Sequence, residues 1–160
     1  MTRFSKNIAR PALLLLLILA FSCFLCSCQA KENDTKGTMT VFIQNGENEP
    51  LSYAVPLDKV EITEGAFSVL DYLKNEKNVS YTASDGTFGK FLTQVGNLDA
   101  SAVPGGYISL YTNVAEDMDV SAWAKTLTVG GYSVTTSGVG ISLMTVKDGG
   151  VLYVALETYN

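Results

Sequence analysis

Histidine is absent from all 160 residues of the sequence. Histidine is the usual general base near neutral pH and the commonest protein ligand of transition metals. Its absence excludes histidine-dependent catalytic triads and histidine-bound zinc. Neither Ser68 nor Ser142 has a lysine three residues later, the spacing of serine–lysine nucleophiles. The sequence therefore predicts a non-catalytic protein without a cofactor, and an enzyme that uses acidic residues alone is the remaining catalytic alternative.

Basic residues are scarce beyond residue 10. The chain has 11 lysines and arginines against 16 aspartates and glutamates, and Arg3, Lys6 and Arg10 precede a long leucine run. The remainder thus has eight basic and 16 acidic residues, a formal net charge of -8. Nucleic-acid binding needs a basic surface that neutralises phosphates. The charge balance therefore predicts that nucleic acid is not a partner.

The beginning of the chain has the pattern of an export signal. Residues 1–11 carry three positive charges and no negative charge, and residues 12–25 are almost entirely apolar. A membrane-spanning helix is the alternative, but crossing a bilayer takes about 20 apolar residues, and Ser22 interrupts this shorter run. Both interpretations place the folded part outside the cytoplasmic membrane.

Cysteine occurs three times, at Cys23, Cys26 and Cys28, so residues 29–160 cannot contain a disulfide. Leu25-Cys26-Ser27-Cys28 resembles the bacterial lipoprotein signal, in which an apolar residue and two small residues precede the lipidated cysteine. Cys23 and Cys26 fit this pattern less well. We therefore predict a signal peptide over residues 1–27, lipidation of Cys28, and a membrane anchor on the extracytoplasmic face.

A polar segment follows the predicted lipidation site. Residues 29–37 contain Ala30 as their one aliphatic residue. Polar, charged segments of this kind do not bury enough apolar surface to fold. We predict a flexible tether over residues 28–37 and one folded domain over residues 38–160.

The folded part is predicted to contain many strands and one helix. Val69, Leu70 and Leu73 form an apolar stripe at helical spacing, with Ser68 as a candidate N-cap, and predict a helix over 66–76. The polar segment 45–56 is predicted to be a long connection between strands. Alternating or short apolar runs predict strands over 38–44, 58–63, 79–83, 88–95, 107–112, 126–129, 132–136, 142–146 and 151–158. This pattern indicates the α+β class.

Two groups of side chains are candidates for a site. Residues 116–119 contain three carboxylates but lack the spacing of a calcium-binding EF-hand loop, so we predict a solvated loop and no metal site. Tyr107 and Tyr111 share one face of their predicted strand, opposite Ile108 and Leu110. If Ile108 and Leu110 face the core, both tyrosines face outward. Together with Trp123 they form the predicted ligand-binding or partner-binding surface.

Three segments resemble a known domain family. They are the helix segment 64–73, Gly89–Leu98 and Val146–Val154, and they are similar to the domain of unknown function numbered 4430 (DUF4430). That family is similar to the C-terminal β-domain of transcobalamin and intrinsic factor. The resemblance covers about residues 39–159. It implies a β-grasp-like mixed sheet with one helix, an exported lipoprotein, and possible binding of cobalamin or another corrinoid.

Two functions from different classes follow. The first is a surface-anchored bacterial lipoprotein whose non-catalytic domain captures a small molecule, such as a corrinoid, for a membrane transporter that imports it. Tethering of this kind raises the local concentration of the captured molecule. The alternative is a protein-interaction or structural module of the cell envelope without a small ligand. A concave aromatic pocket would favour the first, and an unpaired sheet edge the second.

Overall fold

The computed structural model describes residues 31–87 and 89–159. The predicted signal peptide and the predicted lipidation site Cys28 lie outside the described residues. Within the described ranges, no helix is long and apolar enough to cross a bilayer.

The described residues form nine strands and one α-helix. The elements are β1 Thr38–Asn45, β2 Asn48–Pro56, α1 Phe67–Lys77, β3 Tyr81–Gly86, β4 Gly89–Val95, β5 Leu98–Asp99, β6 Gly106–Thr112, β7 Thr126–Val129, β8 Tyr132–Thr136 and β9 Val151–Thr158. Six strands make one sheet in the order β2-β1-β9-β6-β8-β7, and three make a small sheet in the order β3-β4-β5. The central β1–β9 pair is parallel, whereas the other pairs are antiparallel. This mixed sheet with one helix confirms the predicted α+β class.

Both faces of the six-stranded sheet are covered by other parts of the chain. Leu152 and Val154 of β9 pack in a large core that includes Leu70 and Leu73 of the helix. The alternate residues Tyr153 and Ala155 pack in a second core on the opposite face, with Val129 and Val134 of the β7–β8 hairpin among its members. Successive residues of a strand point to opposite faces of the sheet. When both faces are buried, nearly every residue of the strand is therefore apolar. The sequence of β9 has this form.

The helix begins close to its predicted position and ends one residue later. Its first-turn Ser68 is not the N-cap, a position held by Ala66. The Ser68 hydroxyl instead accepts hydrogen bonds from the backbone N–H groups of Thr63 and Glu64, both at 3.0 Å. Ser68 therefore fixes the turn that leads into the helix. Asn78, with φ at +55°, ends the helix in the left-handed conformation that asparagine tolerates.

Three sequence-based assignments are wrong. The predicted connection over 45–56 contains β2, an edge strand that looked like a loop because most of its residues are exposed. The predicted strand 58–63 is instead a short 3-10 turn, Leu57–Lys59, followed by an irregular segment. Val60 and Ile62 alternate with exposed residues because both side chains pack on the core. None of the described strands pairs with this segment, so the alternation does not make it a strand. Predicted strand 142–146 likewise begins in the 3-10 turn Ile141–Leu143.

The predicted tether is partly held against the domain. The Asn33 side-chain carbonyl accepts the N–H of Val146 at 2.8 Å, and the N–H of Asp34 donates to the Val146 carbonyl at 2.8 Å. The Asp34 carboxylate also accepts the N–H of Asp148 at 2.9 Å. These contacts hold Asn33 and Asp34 against the domain, within the segment 28–37 that the sequence predicts to be a tether.

Candidate functional site

An open cleft lies between the two sheets. Strand β6 pairs with β9 along its whole length, but β8 joins its other edge at Tyr111 and Thr112. Strand β4 likewise pairs along its length with β3, whereas β5 joins it at Gln94 and Val95. The remaining halves of both edges line one cavity of about 280 Å³, here called the edge cleft.

The edge cleft is lined mainly by apolar side chains and backbone. Phe91, which is 57% exposed, comes from β4, and Ile108 and Leu110 come from β6. Val139 and Ile141 line it from the chain that follows β8. Lys90 is the charged residue of this lining, and its ammonium group lies 2.6 Å from the Asp85 carboxylate.

A cluster of hydrogen-bonded and stacked side chains lies next to the edge cleft and shares Tyr107 with it. We call Tyr107, Tyr111, Lys125, Glu157 and Tyr159 the tyrosine–glutamate cluster. Tyr107 donates to the Glu157 carboxylate at 2.8 Å, and Lys125 donates to the same oxygen at 2.8 Å. Tyr111 donates a short hydrogen bond to the other carboxylate oxygen. The ring of Tyr107 stacks on Tyr159 with centroids 4.4 Å apart.

Strand register explains how the cluster forms. Tyr107 is paired directly with Glu157 across the β6–β9 ladder, and Tyr111 follows four residues later on the same face. Lys125 comes from the residues just before β7, so its contact with Glu157 ties that segment to the sheet. The cluster therefore joins three parts of the chain that are distant in sequence.

The contacts within the cluster shift the pKa values of its members. Burial opposes the ionisation of Glu157, but hydrogen bonds from Lys125, Tyr111 and Tyr107 outweigh it, and the pKa of Glu157 is lowered. Burial and the bond to Glu157 raise the pKa of Tyr111, and the bond to Glu157 chiefly raises that of Tyr107. The cluster therefore holds one carboxylate charged beside two neutral phenols.

The lowered pKa of Glu157 predicts a loss of stability in acid. A carboxyl group whose pKa is lower in the folded state than in the unfolded state stabilises the fold at higher pH, and that contribution disappears as the pH falls through the folded-state pKa. We expect the unfolding free energy to fall as the pH drops below 4.5, the ordinary value of the group. Urea unfolding at pH 7 and at a pH below 4.5 measures this change in the unfolding free energy. Glu157→Gln should show a smaller drop, and an equal drop in both proteins would contradict the assignment.

The structure separates the three predicted site residues. Tyr111 is fully buried, so the expectation that it faces outward is wrong. The physical reason is that the β7–β8 hairpin covers the face of the sheet on which Tyr111 lies. Ile108 and Leu110 lie on the opposite face and pack against the core that includes the helix. Tyr107 is half-buried, whereas Trp123 is 88% exposed. Their role in ligand binding stays a prediction.

Sequence reasoning missed Glu157, Lys125 and Tyr159 as members of the cluster. The available signal was one acidic residue near the end of the otherwise apolar strand β9. A carboxylate at such a position requires partners, because a buried charge is costly without them. The partners themselves depend on the β6–β9 register, which the sequence alone did not provide.

The acidic residues 116–119 are engaged within the chain. Asp117 is buried, and its carboxylate accepts the Thr145 N–H at 2.6 Å and the Thr145 hydroxyl at 3.2 Å. Glu116 pairs with Lys147, and Asp119 accepts the Ser121 N–H at 2.8 Å. Within residues 31–87 and 89–159, no group of three or more acidic or cysteine side chains is arranged to hold a metal ion.

A second cleft, of about 560 Å³, lies between α1 and the segment that precedes it. Its lining is largely polar and includes Lys59, Glu61, Asp71 and Glu76. Asp71 accepts a short hydrogen bond from Tyr81, and burial and this bond raise the pKa of Tyr81 to about 12. Tyr72 is the aromatic residue of this lining, and it is half-buried.

Proteins of known structure with a similar fold include the two that follow. One, from Ruminococcus gnavus ATCC 29149, is a protein to which metal binding is attributed; its TM-score is 0.52 at 16% identity, over 78% of this chain and 100% of the other. The second is haptocorrin in complex with Cbi, with a TM-score of 0.51 at 16% identity over 84% of this chain. This chain shares their fold. It spans 28% of the length of haptocorrin.

The sequence itself matches no protein-family model and no curated protein. Membership of DUF4430 therefore stays a prediction, whereas the predicted likeness to transcobalamin-type proteins is supported at the level of the fold by haptocorrin.

Proposed function

We propose that this chain is a non-catalytic bacterial lipoprotein that captures a corrinoid-like small molecule at the outer face of the membrane. Cys28 carries the lipid, and the domain delivers its ligand to a membrane transporter. The fold shared with haptocorrin, a protein solved in complex with Cbi, is the observation that carries the proposal.

The proposed ligand surface is aromatic. Tyr159 is 74% exposed and stacks on Tyr107, while Trp123 is 88% exposed and lies two residues before Lys125 of the tyrosine–glutamate cluster. Exposed aromatic rings offer flat apolar area with little side-chain entropy to lose on binding. A corrinoid ring has a broad flat surface that such rings can contact. Tyr111 is buried against Tyr153 and donates to Glu157, the carboxylate that also accepts a hydrogen bond from Tyr107.

The short tether suits delivery to a transporter. With Asn33 held against the domain, five residue steps separate it from Cys28, a reach of roughly 17 Å at about 3.3 Å per residue. A domain confined so close to the bilayer presents its ligand at a high effective concentration to proteins in the same membrane.

A thermal-shift screen tests the proposal. We expect cobalamin or cobinamide, added to the purified full chain at a hundred times its dissociation constant, to stabilise the protein by about 2.7 kcal/mol. A panel of other vitamins serves as the comparison. Trp123→Ala should reduce the shift while leaving the melting temperature of the unliganded protein unchanged, because this side chain is 88% exposed. No shift with any member of the panel would contradict capture of a small molecule and favour the envelope interaction module.

A further inference from the structure

Trp123 lies on a short loop, residues 119–125, whose two ends are bonded to the same residue of β8. The N–H of Asp119 donates to the Thr136 carbonyl at 2.7 Å, and the N–H of Thr136 donates to the Lys125 carbonyl at 2.9 Å. The Thr136 hydroxyl also accepts the N–H of Lys125 at 2.9 Å. The loop, here called the Trp123 loop, therefore leaves and rejoins the sheet at Thr136.

A chain of hydrogen bonds folds the Trp123 loop from within. The Asp119 carboxylate accepts the N–H of Ser121 at 2.8 Å and the Ser121 hydroxyl at 2.9 Å. The Ser121 hydroxyl oxygen accepts the N–H of Trp123 at 3.3 Å, and the Ser121 carbonyl accepts the N–H of Ala124 at 3.2 Å. Ser121 thus connects the Asp119 carboxylate to the backbone of Trp123.

Side-chain packing contributes little to the shape of this loop. Val120 is 97% exposed and Trp123 is 88% exposed. Neither side chain belongs to the two apolar cores formed by the described residues. Because burial gives the tip of the loop so little support, its conformation depends on the hydrogen bonds of Asp119 and Ser121.

The Trp123 loop is also joined to the other half of the aromatic surface. Lys125, at the end of the loop, donates to a carboxylate oxygen of Glu157 at 2.8 Å, and Tyr107 donates to the same oxygen at 2.8 Å. The ring of Tyr107 stacks on that of Tyr159. A fixed loop therefore gives the backbone of Trp123 a constant position relative to this stacked pair.

We propose that Asp119 and Ser121 are positioning residues, which hold the backbone of Trp123 in one conformation before the ligand arrives and so raise the affinity of the aromatic surface. This inference rests on the proposed capture of a corrinoid-like molecule and names two residues that act through Trp123. If the backbone of one residue becomes ordered only in the complex, the entropy lost weakens binding by about tenfold. A loop that is ordered in the free protein avoids this loss.

Backbone ¹⁵N relaxation of the full chain in detergent tests the positioning without any ligand. We expect the amide groups of Ser121, Trp123 and Ala124 to have order parameters of about 0.85, as in rigid backbone, and Ser121→Ala to lower them toward about 0.6. Ser121→Thr keeps the hydroxyl and should restore the wild-type values. Order parameters unchanged by Ser121→Ala overturn the proposal.

Ser101→Ala is the matched control for this measurement. Ser101 donates its N–H and its hydroxyl to the Asp99 carboxylate at 2.9 and 2.6 Å, as Ser121 does to Asp119. We expect Ser101→Ala to leave the order parameters of the Trp123 loop at their wild-type values. A decrease equal to that in Ser121→Ala would show a general loss of order and would contradict a specific role of Ser121.

Isothermal titration calorimetry with cobinamide tests the gain in affinity. We expect Ser121→Ala to weaken binding about tenfold, and Ser121→Thr to stay within about twofold of the wild type. In a Trp123→Ala background, Ser121→Ala should cause no further loss, because it acts through Trp123. An equal loss with and without the Trp123 side chain overturns the positioning role.

The two measurements distinguish failure of the positioning role from failure of the proposed function. If the wild-type protein does not bind cobinamide, capture of a corrinoid is refuted and the gain in affinity with it, even where the order parameters show a fixed loop. If the wild type binds cobinamide and Ser121→Ala binds it equally well, capture stands and the positioning role is refuted.

Discussion

Replacing Tyr111 with alanine should lower the free energy of unfolding by about 3–5 kcal/mol, the cost of deleting a large buried aromatic side chain. Tyr111 is fully buried, and its ring packs on Tyr153 with centroids 5.7 Å apart. The substitution also removes the donor that binds one oxygen of Glu157. Urea unfolding followed by circular dichroism measures the change.

Two conservative variants separate packing from hydrogen bonding in this prediction. Tyr111→Phe keeps the ring and removes the hydroxyl, and should cost about 1 kcal/mol, the net value of a typical hydrogen bond. Trp123→Ala, at a position 88% exposed, should change stability by less than about 0.5 kcal/mol. If Tyr111→Ala were as stable as Trp123→Ala, the burial of Tyr111 beneath the β7–β8 hairpin would be refuted.

Replacing Cys28 with serine should abolish the lipid modification of the protein. Each lipid CH₂ group buried in the bilayer contributes about 0.8 kcal/mol, and one chain alone binds marginally, so stable anchoring takes more than one chain. Bacterial lipoprotein modification supplies more than one, and all of them depend on the thiol of this residue. We expect wild-type protein in the membrane fraction of the producing bacterium and the Cys28→Ser protein no longer lipid-modified.

The other two cysteines provide the controls. Cys23→Ser and Cys26→Ser leave the proposed lipidation site intact and should keep the protein in the membrane fraction. Mass spectrometry of the amino-terminal peptide reads the result directly, because the mature wild-type chain should begin at a lipid-modified Cys28. An uncut and unmodified amino terminus on the wild-type protein would refute the lipoprotein assignment.

The sequence predicted those elements whose local signals agree with their tertiary surroundings. Strand β9, the β7–β8 hairpin and the helix were predicted within a few residues. Apolar runs, the glycine pair Gly130-Gly131 and an apolar stripe at helical spacing mark them. The strand β2 was missed because an exposed edge strand needs few apolar residues.

The candidate site was harder to predict because it depends on which layers cover the sheet. The segment Tyr107–Tyr111 places large side chains on both faces, and alternation alone does not show which face is open. The β7–β8 hairpin buries Tyr111, while Tyr107 stays half-buried. Glu157 joins them through strand register, a long-range property that no local pattern in β9 encodes.

Titration of tryptophan fluorescence with cobinamide tests the proposed capture of a corrinoid most directly. The chain contains one tryptophan, so its emission reports on Trp123 alone. We predict saturable quenching of the full chain beyond the absorption effect measured on free N-acetyltryptophanamide at the same concentrations. Quenching equal to that of the free amide up to the solubility limit of cobinamide would contradict binding at this surface.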